Sequence, residues 1–376
     1  MKVFFNVILA HTFLNAFVLY KGWKVIPHRK SYRIPFIALF IIDLLVYLVG
    51  FTFREHLPFD VLRTIMILGT TWAIFILYMS AFILLYDLGK WLFIRISQLI
   101  RGRFHKFNPR RVTQSFYLGM ALFVVTMMSW GYYKFFHPVI NERNITIQKE
   151  IAGRDNLRIA IATDIHVGYI NDKQVLKKYI DKILEQKADI ILFAGDIIDY
   201  SLKPLSEQHV ETEFQRLTAP LGVYAALGNH DHYADEEEKI SWLKEKSGIT
   251  ILQDSLILID NSFYLVGRED RKSPRKPLEE ILSGADKSLP VIVVNHQPNI
   301  PEEEVENNVD LAFYGHTHAG QIFPLNLILK MAYELAYGYK QKENTHLFVS
   351  SGLGGTPQFR IGTNSEIIVV NLKFSH

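Results

Sequence analysis

Four long apolar runs dominate the first 139 residues: Val3–Tyr20, Ile34–Phe53, Thr64–Tyr86 and Val112–Tyr133. Three carry no charged residue, and the second carries only Asp43. Each approaches or exceeds the roughly 18–20 residues that a helix needs to cross a bilayer core. Buried helices of a soluble core would show a polar face, which these largely lack. The pattern therefore predicts about four transmembrane helices in residues 1–139. The first is the most interrupted, by Asn6, His11, Thr12 and Asn15, and no small-residue cleavage pattern follows it. Asp43 stands at mid-helix with no evident cationic partner, which predicts a packed structural carboxyl, and His11 receives the same reading.

From about Asn144 the pattern changes to short β-branched runs alternating with amphipathic segments. Leu157–Ala162, Ile190–Ala194, Val223–Leu227, Val291–Val294 and Leu311–Tyr314 read as buried strands. Asn171–Gln186 reads as a helix capped by Asn171, and Ser241–Lys246 as another behind the acidic Asp235–Glu238. Leu256–Asp260 and Phe263–Gly267 read as a hairpin, with late strands at Leu347–Ser350 and Glu366–Leu372. Residues 140–376 thus form a layered α/β domain. Asn144-Ile145-Thr146 fits a glycosylation sequon but carries no weight at three residues.

Charge divides at the same place. Residues 1–139 hold 16 Lys/Arg and four acids; the remainder holds 25 Lys/Arg and 34 Asp/Glu. A net acidic second half argues against nucleic acid as a partner. The loop Lys21–Arg33 carries five basic residues and the loop Asp87–Arg111 seven, against two in Arg54–Arg63. The positive-inside rule then places the first and third loops in the cytoplasm and both termini outside, so the second half faces the periplasm or cell exterior. Trp23, Trp91, Trp130, Tyr132, Tyr133 and Phe135 stand where interfacial aromatic residues are expected. The absence of cysteine excludes thiol catalysis, disulfides and cysteine-based zinc sites.

Five motifs carry the candidate chemistry: Asp164-Ile165-His166, Gly195-Asp196-Ile197-Ile198-Asp199, Gly228-Asn229-His230-Asp231, His296 within Val294-Asn295-His296-Gln297, and Gly315-His316-Thr317-His318. Each begins where an apolar run ends, so the loops bearing them collect along one edge of the sheet system. Oxygen donors mixed with imidazole suit Mn, Fe or Zn better than Ca or Mg. Asp164 and His166, two apart on a loop leaving a strand, can turn to one ion. Asp196 follows a glycine and can present its carboxylate between two ions, Asn229 can give its amide oxygen, and His316 and His318 can diverge to separate metals.

On these motifs the segment Leu157–Leu372 resembles the calcineurin-like metallophosphoesterase superfamily, with all five signature blocks in order. The glycine-rich Ser351–Gly355 and the stretch Gly315–Gln321 resemble a bacterial membrane-associated or exported branch. The resemblance implies a β-sandwich flanked by helices and two divalent metal ions, with Mn foremost. It implies Asp164, His166, Asp196 and His318 on the first metal and Asp196, Asn229, His296 and His316 on the second. It further implies His230 as the catalytic histidine and Asp231 as its orienting partner. Asp199 reads as a residue behind the ligands. His209, His232, His346 and His376 read as structural, and Arg360 as a solvated arginine.

After His318, Leu325–Tyr337 is apolar except for a stripe of Asn326, Lys330 and Glu334. So wide an apolar surface must be covered by protein core, bilayer or an acyl chain. The expected protein is a multi-pass membrane metallophosphoesterase that hydrolyses a phosphodiester or pyrophosphate bond in a lipid-linked substrate. A phosphatase of soluble extracytoplasmic esters and a non-catalytic metal-binding sensor or scaffold stay open as alternatives.

Overall fold

The computed structural model describes residues 2–53, 56–99, 109–149, 151, 154–299 and 301–375. Arg101, Arg103 and Lys106, counted above in the third basic segment, lie outside them, as do Arg54 and the terminal His376. The chain divides into two compact units, Met1–Trp130 and Gly131–His376.

The first unit is built from α1 (Lys2–Val25), α2 (Lys30–Phe53), α3 (Phe59–Leu99) and most of α4 (Pro109–Phe136). Three stretches, Lys30–Gly50, Phe59–Gln98 and Arg110–Phe136, are long and apolar enough to span a membrane. Inside this unit Asp43 is not alone. Its Oδ2 lies 2.9 Å from His11 Nε2, Asn15 Nδ2 lies 2.8 Å from the same ring nitrogen, and Trp72 Nε1 donates to Asn15 Oδ1 at 2.9 Å. The two residues read separately as packed groups thus form one polar chain joining three helices. The sequence hid it because the partners are 32 positions apart.

The second unit carries β1 (Val139–Ile147), β2 (Asn156–Ala162), α5 (Lys173–Leu184), β3 (Ile190–Ala194), α6 (Lys203–Gln208), α7 (Glu211–Phe214), β4 (Val223–Ala226), α8 (Glu236–Lys246), β5 (Thr250–Ile251), β6 (Ser255–Ile259), β7 (Phe263–Gly267), α9 (Leu278–Ile281), β8 (Val291–Val294), α10 (Glu302–Glu306), β9 (Leu311–Tyr314), a 3-10 turn (His318–Gly320), α11 (Leu325–Ala332), β10 (Gly338–Lys342), β11 (Thr345–Val349) and β12 (Glu366–Phe374). Two six-stranded sheets result, in the orders β1-β12-β2-β3-β4-β5 and β10-β11-β9-β8-β7-β6. β2, β3 and β4 run parallel, as do β7, β8 and β9, while β12 pairs antiparallel to β2. Their inner residues, among them Ile161, Leu192, Val294, Phe313 and Val370, form one core between the sheets. Burying each such side chain contributes roughly 1.5–3 kcal/mol before the entropy of ordering is subtracted. The other face of the first sheet is covered by α5, whose Val175, Leu176, Tyr179, Ile180 and Ile183 are buried. Strands covered on both faces read as unbroken apolar runs, which is why β2, β3, β8 and β9 were legible.

The differences are local. The N-cap of α5 is Asp172, whose Oδ1 accepts from Val175 N at 3.0 Å, and not Asn171. The compact unit starts at Gly131, whereas the change in composition set the boundary at 139/140. The reason is Phe135: the last turn of α4 inserts this ring, fully buried, into the core beside α5. Phe135→Ala should therefore cost about 3–5 kcal/mol. Thermal unfolding of the detergent-purified chain should show a large drop in Tm, while exposed Tyr133→Ala leaves it near the parent value. Equal shifts for the two variants would mean that the helix end is not part of the core.

Candidate metal centre

The five motifs leave the C-terminal ends of β2, β3, β4, β8 and β9, and their loops adopt backbone that side chains rarely tolerate. Asp164, His166, Asp196, His316 and His318 all have φ between 49° and 70°. Such left-handed backbone is uncommon for non-glycine residues and clusters at functional sites. The loops are locked by mutual bonds: His166 N donates to Asp196 O at 3.0 Å, Asp164 N to Gly195 O at 3.0 Å, and Gly315 N to His296 O at 3.0 Å. Two close approaches require glycine. A Cβ at Gly228 would lie 2.3 Å from Asp196 Oδ1, and one at Gly315 would lie 1.9 Å from Thr163 Oγ1.

The side chains converge in three groups, each able to hold a metal ion: Asp164 with His166 and His318; Asp196 with His296 and His316; and His166 with Asp199 and His230. In the first, Asp164 is fully buried and accepts from His316 N at 3.1 Å and from Thr163 Oγ1 at 2.7 Å. His166 Nε2 and His318 Nε2 face each other at 3.3 Å. Burial, reinforced by the neighbouring His166, depresses the pKa of His318 to about 3. Burial also opposes charge on His166, but Asp199, Asp196 and Asp164 outweigh it and raise that ring to about 9.

In the second group His296 Nδ1 lies 2.8 Å from the carbonyl of Ala194, so that nitrogen carries its proton toward the backbone. Its Nε2 lone pair is left facing Asp196 Oδ2 at 3.1 Å. A lone pair and a carboxylate oxygen at that distance repel unless a cation or proton lies between them. Burial alone would lower the His296 pKa, yet the charge and hydrogen bond of Asp196 raise it to about 10, so the spot favours positive charge. Asn229 is buried beside this group, and its Oδ1 has no hydrogen-bond partner among the described residues. A buried amide oxygen left open is costly unless it has a ligand to bind. The donor set and these open lone pairs fit divalent metal ions.

The His230 side chain is 32% exposed, and its Nδ1 lies 2.9 Å from Asp199 Oδ1. The resemblance puts Asp231 behind His230, but its carboxylate instead accepts from the backbone of Gly228 at 2.9 Å and Ile198 at 2.9 Å, with Ile197 at 3.3 Å. It ties the β3 loop to the β4 loop, and Asp199 is the carboxylate at the ring. Burial disfavours charge on Asp199, but His166 and His230 together pull its pKa well below the usual carboxylate range.

Three further residues support the loops without a sequence signal. Lys239, fully buried though it follows Glu236–Glu238, donates to the carbonyls of His230 at 2.7 Å and Asp199 at 3.3 Å. Arg360, read above as solvated, is fully buried and donates to the carbonyls of His318, Gly352 and Gly354 at 3.2, 3.0 and 2.7 Å. Tyr233 accepts from Asn229 Nδ2 at 3.2 Å and packs against the His230 ring. The structural histidines sit elsewhere: His232 lies between Glu236 and Glu269, and His346 meets Tyr339.

Residues 157–320 match the family model of the calcineurin-like phosphoesterases. A Helicobacter pylori protein described as an uncharacterised metallophosphoesterase is 30% identical over 265 residues, covering 68% of this chain and 70% of its own. A Campylobacter jejuni protein of the same description is 27% identical over 380 residues, covering 98% of this chain and 97% of its own. A zebrafish (Danio rerio) transmembrane protein with a metallophosphoesterase domain is 28% identical over 63% of this chain and 57% of its own. With its α/β sheets, its Asp/His clusters at the strand ends and these relatives, the chain belongs to the calcineurin-like phosphoesterase family.

Proposed function

We propose that this protein is a membrane-anchored phosphohydrolase with two metal ions, acting on a phosphodiester or pyrophosphate bond in a lipid-linked substrate. One observation carries the reading: two ligand groups, Asp164 with His166 and His318 and Asp196 with His296 and His316, adjoin at one sheet edge, where His166 Nε2 lies 3.7 Å from Asp196 Oδ2, with the part-exposed His230 beside them. Asp164, His166, Asp196 and His318 would hold the first metal, and Asp196, Asn229, His296 and His316 the second. Mn is the expected metal, with Fe and Zn as the other candidates, and when bound the pair would acidify water and neutralise phosphoryl charge.

The chain's own residues do the rest. With Nδ1 on Asp199, His230 keeps Nε2 for the leaving oxygen, and Asp199 stabilises the imidazolium that gives up the proton. Lys239 fixes the backbone of both residues, so ring and carboxylate stay in register. The apolar helices favour a lipid substrate because they keep the site beside a membrane, and the basic loops favour a catalytic domain on the periplasmic or external side.

Mn²⁺-dependent hydrolysis of a chromogenic phosphodiester and its monoester should be measurable with detergent-purified protein and lost in Asp196→Asn. No turnover on either, with two metals bound by elemental analysis, would favour a sensor instead. His230→Ala should lower kcat by about 10²–10⁴ while metal content holds. Asp199→Asn should follow it on substrates with poor leaving groups, far less on p-nitrophenyl esters. Metal loss in His230→Ala would make that residue a ligand. For topology, the cysteine-free chain allows Lys244→Cys to be labelled in intact cells by a membrane-impermeant maleimide. Labelling only after lysis would put the domain in the cytoplasm.

A further inference from the structure

α11 is built the wrong way round for a helix at a water surface. None of its eight residues is buried. Leu325, Leu327, Ile328 and Met331 are exposed, Met331 by 89%, while the polar Asn326 is half-buried against the domain with Leu329. Its outward face is apolar, whereas a soluble helix would turn that face inward. The feature is not general to this unit. Of the exposed large apolar residues in Gly131–His376, all but Tyr200 and Leu258 lie at the end of α4, at Val139 just after it, or between Phe323 and Tyr337.

These segments are joined through one piece of backbone. Gly131, in the last turns of α4, accepts from Arg360 N at 2.9 Å, and a Cβ there would lie 2.8 Å from the Ile361 side chain. Tyr132 packs on Phe359. On the same strip, Phe323 N donates to Ile361 O at 2.7 Å, and Ile322 and Ile361 form a β-bridge. The segment that leads into α11 is therefore tied to the residues that receive the end of α4. Tyr132 and Tyr133, both exposed, mark that end as interfacial.

α11 is equally tied to the metal ligands. It follows the turn His318–Gly320 directly, and Thr317 Oγ1 donates to Ala336 O at 2.7 Å, so the ligand loop holds both ends of the segment. A Cβ at Gly320 would lie 2.3 Å from Asn326 N, which leaves no slack between turn and helix.

We propose that α11 is an interfacial helix whose Leu325, Ile328 and Met331 lie in the lipid leaflet at which α4 ends, so that a phosphoester carried by a lipid enters the site along this helix. Lys330 is exposed on the same helix and can reach headgroup phosphates while its stem stays apolar. The proposal gives the lipid-substrate reading its entry surface and rests on that reading only for the substrate.

The test needs no turnover. The full chain carrying Met331→Cys, labelled with an environment-sensitive fluorophore, is placed in nanodiscs of phosphatidylethanolamine and phosphatidylglycerol containing a nitroxide-bearing lipid. The label should emit to the blue and lose most of its emission to the nitroxide, while the same label at exposed Lys244→Cys should do neither. Adding Ile328→Glu should restore emission at position 331. Equal emission at the two positions would overturn the proposal. So would a label shielded from water, untouched by lipid nitroxide and released on dilution, which would make the occupant a second copy of this chain. A quenched label in a protein inert on every phosphoester would keep α11 in the membrane and reject the hydrolase reading instead.

Discussion

The structure turns on two carboxylates that have been taken out of water and that face imidazole rings. Asp164 is fully buried and Asp196 nearly so. A buried charge is tolerated only when hydrogen bonds and counter-charges replace its hydration. Backbone donors supply part of that replacement, His316 N to Asp164 and His230 N to Asp196. Thr163 Oγ1 adds a further donor to Asp164, and the rest of the surroundings is imidazole nitrogen, from His166, His296 and His318. Carboxylates and imidazoles packed this closely without water make a site that favours positive charge and that could hold a metal ion.

That requirement propagates into the backbone. Donors from five strands can meet in one small volume only if the loops turn sharply as they leave the sheets, and the left-handed residues at 164, 166, 196, 316 and 318 make those turns. Each such residue costs on the order of 1 kcal/mol or more and persists only where its surroundings over-determine it. The surroundings here are the sandwich core beneath, the interlocked loop bonds, the Asp231 carboxylate drawing the β3 and β4 loops together, and Arg360 gathering three carbonyls from two segments. Asp231 and Asp199 thus divide the work: one shapes the loops and the other meets the His230 ring.

Much of this was legible in the sequence, for identifiable reasons. β3, β8 and β9 match their apolar runs because strands covered on both faces have nothing to alternate. Grouping of the ligands followed from motifs placed at strand ends. β1 and β10 escaped notice because they are edge strands with polar residues such as Glu142, Arg143 and Lys340, and edges leave a face to water. Partner choice was the weakest point. Asp231 adjoins His230 in sequence, yet a tight turn sends its carboxylate to backbone donors, and the aspartate 31 positions away reaches the ring. Buried cations such as Arg360 and Lys239 give no local signal, since their burial depends on carbonyls distant in the chain.

Arg360 also joins the last turns of α4 to the site. Its backbone nitrogen binds the end of α4 at Gly131, and its guanidinium binds the carbonyl of His318. The chain thus enters the α/β domain through a helical turn bonded into the ligand scaffold, with Phe135 sunk in the core behind it. The same strip of backbone holds the segment before α11, since Ile361 O accepts from Phe323 N and Ile361 bridges Ile322, so the end of α4, the ligand loop and α11 share one piece of main chain within the second unit.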